Sequence, residues 1–347
     1  MEKTIQKKRD VSLDIAKGIL IFLVVWGHSI QFGFGYEYGE AGKYWYDYVY
    51  RAIYTFHMPL FMAISGYLFY YSYKKSFKDV ITSRLKSIGI PYLNYCTITV
   101  LLFAPLMRIG GGKFILDTYA NGYWFLTSVL LNSLVVSMIK LLSRDKWTIT
   151  TLLLAINTGL FFINDKIIYN THNFMFTCFI VGYLYNLHMQ KPMTFDNTKK
   201  EWIVVVVAIF TICVFFFKKE MFIYWGGVHL IRNGEFSLHQ LGIDVLRCII
   251  GTIASVCFLY VIPLHKYLSN RLRNYIIILS RYSIGIYCLS NIILTIYYKA
   301  LGNLGIEIPF NYITPIILAI VVVIISCVIL RYCEKRKLLN TLFLGGR

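Results

Sequence analysis

Runs of about twenty apolar residues recur along this chain, separated by short segments that hold most of its charge. A run of about 18 or more uncharged residues is long enough to cross the hydrocarbon core of a bilayer as a helix. Hydrophobic residues make up 57% of the chain and charged residues 15%, whereas a soluble domain carries about 25% charge. The sequence therefore predicts an all-α, polytopic membrane helix bundle.

Hydropathy and turn residues together predict about ten spans. They lie near residues 13–34, 52–72, 88–107, 122–142, 147–163, 173–189, 201–217, 239–262, 275–298 and 311–331. The connecting segments are too short for a soluble domain, so a single transmembrane domain over 1–347 is expected. The first span lacks a small-residue cleavage site, so we expect a retained helix rather than a signal peptide.

The positive charge is distributed as a topology signal rather than as one patch. The net charge is +18, but the Lys and Arg residues lie mostly in the short segments between apolar runs. In a ten-span bundle, successive segments of this kind lie on opposite sides of the membrane. About two-thirds of them lie on the side of the two termini, and the positive-inside rule places that side in the cytoplasm. We therefore expect a multi-pass protein of the plasma or inner membrane with cytoplasmic termini, and no nucleic-acid partner.

The eight cysteines lie almost entirely inside the apolar runs, without a CxxC pair or zinc-like spacing. Walker-type phosphate loops, HExxH zinc sites and GxSxG elbows are absent from the sequence. We therefore expect neither a disulfide framework nor a bound metal nor a permanently bound cofactor.

The first predicted span carries Asp14, Lys17 and His28, and ionisable residues inside a membrane are candidates for functional roles. Lys17 and His28 are eleven residues apart, which on a helix returns to nearly the same face with a rise of about 16 Å. Asp14 lies one turn before Lys17 and is placed to pair with it. An alternative stays open, in which Lys17 only extends to the interface and His28 is a core histidine.

The second predicted span carries His57 at a depth similar to that of His28, so the two imidazoles are predicted to share one cavity. The alternative is an outer-interface histidine bonded to a backbone carbonyl. Ser65 and Gly66 follow as a small patch that lets a helix or a ligand approach closely. In the eighth span, Asp244 and Arg247 have the i,i+3 spacing of an ion pair, which we interpret as structural.

A cation at the cytoplasmic entrance and an imidazole deeper on the same face suit an acyl-coenzyme A donor. Its phosphates would remain near Lys17, Arg84 and Lys86, while the pantetheine arm carries the thioester towards His28. A basic cluster at the entry to the third span is also what cytoplasmic topology alone predicts.

Together these motifs resemble the acyltransferase-3 family of membrane O-acyltransferases, in the branch similar to fucose 4-O-acetylases. Residues 9–18 read RDVSLDIAKG and are followed by His28, which is similar to the family's basic residue, ten intervening residues and histidine. Residues 56–61 (FHMPLF), 64–69 (ISGYLF), 84–92 (RLKSIGIPY), 123–126 (YWFL) and 182–184 (GYL) resemble its later motifs in order. Lys17 stands where the family more often has Arg.

One segment departs from the family pattern. Residues 281–290 resemble a segment that commonly ends in histidine, but this chain has Ser290 followed by Asn291. The resemblance implies transfer of an acyl group, usually acetyl, from cytoplasmic acyl-CoA to a hydroxyl of a cell-surface or lipid-linked glycan. It also implies that the motif ending in His28 carries the reaction, with His57 and Asp14 as the other candidate catalytic residues.

The candidate roles follow from this reaction. His28 is predicted to act as general base or as a transient acyl carrier, with His57 assisting. Lys17, Arg84, Lys86 and Ser65 are predicted to bind the donor, and Tyr123 and Trp124 to stack on a sugar. A glycan or lipid exporter is the rival class, because carriers also place ionisable residues within spans. A membrane sensor without enzymatic activity is a third, and the sequence does not specify an oligomeric state.

Overall fold

The computed structural model describes residues 10–36, 43–72, 75–106, 111–163, 170–223, 227–232, 235–306, 308 and 311–346. These residues are mostly helical, as the sequence predicts. One short antiparallel pair is present, β1 (Ile231–Arg232) with β2 (Glu235–Phe236), in which Ile231 faces Phe236.

The helices are named α1 to α14 in chain order. They are α1 Val11–Tyr36, α2 Tyr48–Phe69, α3 Phe77–Arg84, α4 Ile90–Phe103, α5 Gly111–Asn121, α6 Trp124–Leu142, α7 Lys146–Leu160, α8 Asn170–Met189, α9 Ile203–Phe216, α10 Leu238–Val261, α11 Asn270–Arg281, α12 Ser283–Leu304, α13 Ile313–Glu334 and α14 Lys337–Leu344. A π-helical turn over Leu85–Gly89 joins α3 to α4. Short 3₁₀ turns cover Lys43–Tyr46, Tyr70–Ser72, Ala104–Leu106, Lys200–Trp202, Lys219–Met221 and Ile262–Tyr267.

Seven helices in the described ranges are long and apolar enough to cross a membrane. They are Val11–Phe34, Tyr48–Ser72, Phe77–Leu106, Trp124–Leu142, Leu238–Tyr267, Ser283–Leu304 and Ile313–Glu334. The fifth, sixth and seventh predicted spans correspond to α7, α8 and α9. Of these, α7 has 15 residues and α9 has 14, which is short for a spanning helix, and α8 carries several polar residues. The count of ten therefore stays a prediction.

The ninth predicted span, 275–298, differs from the structure in its bounds. Helix α11 ends at Arg281 and α12 begins at Ser283, so the predicted span straddles a break at Tyr282. Ser280, Arg281 and Ser283 interrupt the apolar run too briefly to lower the hydropathy of a long window, so hydropathy does not reveal the break. The helix that is long enough to span the membrane here is α12, and α11 is a separate amphipathic helix that packs against α1.

Helix α1 lies centrally in the bundle and packs against α2, α11, α12 and α13. The Tyr298 hydroxyl of α12 donates a hydrogen bond of 2.9 Å to the Ser29 carbonyl of α1, where both groups are buried. Gly27 has no side chain, and a Cβ there would lie 2.9 Å from the Tyr54 ring. This contact brings α2 against the segment of α1 that carries His28.

A break between α5 and α6 determines where the Tyr123 and Trp124 side chains lie. The Gly122 amide closes α5 on the Thr118 carbonyl, and Tyr123 then leaves helical geometry with φ −126° and ψ 56°. The Tyr123 hydroxyl lies 2.7 Å from the Thr99 hydroxyl of α4. Trp124 therefore begins α6 inside the bundle, beside the middle of α2.

Candidate functional site

The structure brings His28 and His57 together through two tyrosines. His57 lies within the range of a Coulombic interaction with His28. The Tyr54 ring meets the His57 ring edge-on with centroids 4.6 Å apart, and the Tyr287 ring lies 6.4 Å from that of His28. The four side chains form one cluster contributed by α1, α2 and α12.

The hydrogen bonding of His57 determines which ring nitrogen is free for chemistry. His57 is buried, and its Nδ1 lies 2.7 Å from the Ile53 carbonyl oxygen. A carbonyl oxygen can only accept, so neutral His57 carries its proton on Nδ1 and has a lone pair on Nε2. His28 differs, because its Nδ1 is buried and has no hydrogen-bond partner in the part of the chain that the structure describes.

His57 lines a cleft of about 450 Å³, a volume that includes space open to solvent. Its walls come from α2, α6, α8 and α10 and from the segment after α9, and they are mostly aromatic or apolar. The lining residues are Tyr54, Thr55, His57, Met58, Pro59, Trp124, Phe174, Met175, Phe217, Met221, Phe222, Ile223 and Arg247. An apolar cleft with a few polar groups is the usual form of a small-molecule site, and we call it the aromatic cleft.

A second cavity of about 300 Å³ adjoins the first, and Met58 lines both. It is apolar and lies between α1, α2, α6 and α12. Its lining residues are Ile21, Val24, Met58, Phe61, Phe125, Leu126, Ser283, Ile284 and Tyr287. Ile21 and Val24 lie on α1 between Lys17 and His28, so this cavity covers part of the interval that separates the predicted donor entrance from the histidines.

At the entrance end of α1 the predicted pair forms. Lys17 Nζ lies 3.4 Å from Asp14 Oδ1, and both side chains are partly exposed. The Ser280 hydroxyl of α11 donates to the same carboxylate at 3.3 Å. Asp14 is therefore linked to Lys17 and α11, and the structure does not place it in the cluster of the two histidines.

The other predicted donor-binding residues lie in separate surroundings. Arg84 packs over the Phe69 ring, with 4.8 Å between the guanidinium carbon and the ring centroid. Lys86 belongs to the π-helical turn, near Gly346 at the end of α14. Ser65 donates its hydroxyl hydrogen bond to the Phe61 carbonyl of its own helix at 2.9 Å. The contacts of these residues thus place Arg84 at Phe69, Lys86 near Gly346 and Ser65 against its own helix.

A third, open cleft lies at the junction of α3 and the end of α6. It encloses about 1240 Å³ and is lined by Lys75, Ser76, Phe77, Val80, Ser137, Lys140, Leu141 and Arg144. Its three cations are a basic group that the sequence analysis did not select.

Trp124 and Tyr123 occupy different environments. Trp124 lines the aromatic cleft, and its stacking on a sugar stays a prediction. Tyr123 is buried beside the cleft, and its ring lies 6.0 Å from that of Tyr287. Ser290, where the family often has histidine, is buried and donates to the Tyr287 carbonyl at 3.0 Å.

Sequence reasoning missed several residues of the cleft. Tyr54 carries no motif signal beyond being aromatic, and Phe217 and Phe222 lie at and after the end of the seventh predicted span, outside the family motifs. Arg247 does give a signal, because it is a charge inside an apolar run. Its lining of the cleft depends on tertiary contacts that its spacing to Asp244 does not predict.

Comparisons with known proteins agree with the family that the motifs predict. A family model described as an acyltransferase domain matches residues 10–332. Over 230 residues the chain is 30% identical to Nodulation protein NolL of Mesorhizobium japonicum, which covers 62% of this chain and 58% of that protein. Over 136 residues it is 38% identical to Nodulation protein NolL of Sinorhizobium fredii, covering 38% of this chain and 36% of that protein.

The chain thus spans less than two thirds of the length of these curated relatives. No solved structure matches it. Because the acyltransferase model matches from the residue before α1 almost to the end of α13, the predicted family is confirmed. The chain belongs to the acyltransferase-3 family.

Proposed function

We propose that the protein is a membrane O-acyltransferase that moves an acetyl group from acetyl-CoA to a hydroxyl of a cell-surface or lipid-linked glycan. The observation that carries the proposal is His57, with Nδ1 bonded to the Ile53 carbonyl, lining the aromatic cleft within electrostatic range of His28. A neutral imidazole with a lone pair, next to a cleft with an aromatic lining, suits proton transfer from a hydroxyl.

In the direct route, an imidazole nitrogen takes the proton of the acceptor hydroxyl as its oxygen attacks the thioester carbonyl carbon. The C–S bond then breaks, and coenzyme A leaves as a thiolate that takes up a proton. His28 is the proposed base, as the motif implies, and His57 orients the acceptor or shares its proton through Nε2.

In the relay route, a nitrogen of His28 attacks the thioester first and forms an acyl-imidazole, with release of coenzyme A. The acceptor hydroxyl then attacks the same carbonyl carbon and returns the imidazole to its starting state. The apolar cavity beside Met58 supports either route, since it leaves space between the entrance half of α1 and the histidines.

The donor phosphates are proposed to bind at the Lys17 end of the bundle, with Arg84 and Lys86. This end carries the basic segments that the positive-inside rule assigns to the cytoplasm, so both termini are proposed to be cytoplasmic and the membrane to be the plasma or inner membrane. Ten spans complete this topology, with α7, α8 and α9 as the three shorter or more polar crossings.

The direct test measures transfer of radiolabelled acetyl from acetyl-CoA to membrane glycan by purified protein in lipid nanodiscs. We expect His28→Ala to lose at least about a hundredfold in rate, the scale of a lost general base. His188→Ala is the matched control, because His188 is a helix histidine that contacts Trp147 and Thr150, away from the cleft. Full activity of folded His28→Ala protein would contradict the assignment.

The same preparation separates the two routes and the rival function. Acid-quenched protein should carry hydroxylamine-labile label in the relay route and none in the direct route. A glycan carrier predicts movement of the acceptor across the membrane without incorporation of label, and that result would reject acyl transfer.

A further inference from the structure

We propose that residues 217–223 form a wall of the aromatic cleft that packs against one face of an acceptor sugar ring, and that Asp244 and Arg247 are the positioning residues that hold this wall. The inference rests on the proposed acyl transfer, because it concerns the acceptor of that reaction. It assigns a binding role to a segment and an ion pair that lie outside the family motifs of the sequence.

Asp244 and Arg247 form a buried ion pair on α10. Arg247 Nη1 lies 3.0 Å from Asp244 Oδ1, and the side chains are 3% and 8% exposed. Gln240, one turn earlier, donates to the same carboxylate oxygen at 3.1 Å. A buried ion pair has a large desolvation cost, and it is tolerated where further hydrogen bonds satisfy the remaining donors.

The remaining donors of Arg247 reach the backbone of the segment after α9. Nε donates to the Met221 carbonyl at 2.5 Å, and Nη2 donates to the carbonyls of Glu220 and Gly227 at 3.2 and 2.9 Å. Gln240 also donates to the Gly227 carbonyl, at 3.2 Å. The Arg247 guanidinium therefore binds three carbonyls of this segment and holds the segment against α10. A lysine ammonium, which is a compact point charge, does not reproduce these hydrogen bonds.

The segment held in this way lines the cleft. Phe217, Met221, Phe222 and Ile223 are all buried and all line it together with Trp124 and His57. The Phe222 ring also packs against Tyr54, with centroids 5.2 Å apart, and against Trp45 at 3.8 Å. The wall is thus continuous with the aromatic residues of α2.

The chemistry of the cleft fits a pyranose ring. Aromatic side chains pack against the C–H face of a sugar, and the few polar groups then orient its hydroxyls. His57 Nε2 is a hydrogen-bond acceptor, and Arg247 lies with its guanidinium 5.4 Å above the Phe174 ring at the edge of the same space.

The first experiment tests, without any ligand, whether Arg247 holds residues 217–223 in place. Phe222, which is 3% exposed, is replaced in Phe222→Cys, and its labelling by a maleimide is measured with the parent protein as background. Adding Arg247→Met should speed labelling of the introduced thiol at least tenfold, whereas adding Arg281→Gln, which removes an ion pair with Glu334 elsewhere, should not. Equal labelling rates in the three proteins would show that Arg247 does not hold this segment.

The second experiment tests the sugar. Intrinsic tryptophan fluorescence is titrated with methyl α-L-fucopyranoside and methyl β-D-glucopyranoside, without acetyl-CoA. We expect a saturable change with at least one probe, its loss in Trp124→Phe, and at least tenfold weaker binding in Arg247→Lys. No saturable change with either sugar would overturn the assignment. His28→Ala should bind the sugar like the wild type, so failure of the reaction and failure of this site give different results.

The third experiment separates positioning from general destabilisation. Arg247→Lys and Asp244→Asn should raise the KM for the glycan acceptor at least tenfold and leave the KM for acetyl-CoA within about twofold. An equal rise in both KM values, or in neither, would contradict a positioning role at the acceptor side.

Discussion

Gly66 of α2 and Gly182 of α8 lie where the two helices touch backbone to backbone. A Cβ on Gly66 would collide with the Phe179 carbonyl, and a Cβ on Gly182 would collide with the Ala63 carbonyl. Both glycines come from segments that the family resemblance selected, and the structure gives them a packing role. The contact fixes α8 beside α2 and places Phe174 and Met175 in the wall of the aromatic cleft.

Gly66→Ala and Gly182→Ala are therefore expected to lower stability, because overpacking of a close contact costs about 1–3 kcal/mol. The measurement is the melting temperature in detergent, followed by fluorescence-detected size exclusion. Gly242→Ala is the control, since a Cβ there meets no atom within 4 Å and alanine favours helix. Equal melting temperatures of all variants and the wild type would show that the helices separate freely at this contact.

His57→Gln should lower the rate of acetyl transfer by about a hundredfold, because an amide does not share the proton of the acceptor as the imidazole Nε2 does. The KM for acetyl-CoA should remain near the wild-type value. Tyr54→Phe provides the control: it retains the ring that packs on His57 and loses only the hydroxyl bonded to Gln31 at 3.4 Å. A loss in Tyr54→Phe as large as that in His57→Gln would assign the effect to the Tyr54 hydroxyl and its hydrogen bond instead of to proton transfer by His57.

Helix rise predicts a similar depth for His28 and His57, because both lie a countable number of residues from a predicted span end. The aromatic wall of the cleft could not be predicted, since tertiary hydrogen bonds to backbone carbonyls hold it near α2. Arg247 donates to those of Glu220 and Met221, and Arg51 of α2 donates to those of Val214 and Phe215. Every residue has a backbone carbonyl, so a sequence pattern does not indicate which carbonyls accept such hydrogen bonds. Arg247 itself was visible as a charge in an apolar run, but its spacing to Asp244 indicates only an ion pair.

Helix breaks were harder to predict than helices. Tyr282 separates α11 from α12 without a proline or glycine, so the hydropathy pattern predicted one continuous span across the break. The break before α6 was marked by Gly122, and there the predicted span begins within two residues of the helix. The pair of Lys17 and Asp14 was predicted by its spacing alone, because residues three apart on a helix are neighbours.

The double variant Arg84→Gln with Lys86→Gln should raise the KM for acetyl-CoA at least fivefold, since each lost cation removes a charge-assisted contact to phosphate. The matched comparison is Lys140→Gln with Arg144→Gln, which changes two cations of the open cleft between α3 and α6. Initial rates at varied acetyl-CoA give both values. A larger rise of the KM for acetyl-CoA in the Lys140→Gln and Arg144→Gln double variant would assign the donor phosphates to the open cleft instead.

The N-cap of α2 gives a pH-dependent prediction outside the membrane. Asp47 accepts a 2.7 Å hydrogen bond from the Tyr50 amide, and burial raises the pKa of its carboxyl above the usual range. The folded state therefore holds the proton more tightly than the unfolded state, so stability is gained as the pH falls through the raised pKa. Asp47→Asn preserves a good cap and removes the buried charge. We expect it to raise the melting temperature at pH 7.5, by an amount that disappears as the pH is lowered towards about 4, the ordinary pKa of aspartate.

Asp145 provides a control of opposite sign, because it caps α7 in an exposed position. Hydrogen bonds from Thr148 lower the pKa of the Asp145 carboxyl, so its contribution is present above the unfolded pKa and is lost as the pH falls. Asp145→Asn should therefore lower the melting temperature slightly at pH 7.5 and leave it unchanged in acid. Melting curves from pH 4 to 8 for the two variants should diverge from the wild type in opposite directions at neutral pH. If the difference in melting temperature from the wild type does not change with pH in either variant, neither carboxyl titrates with folding.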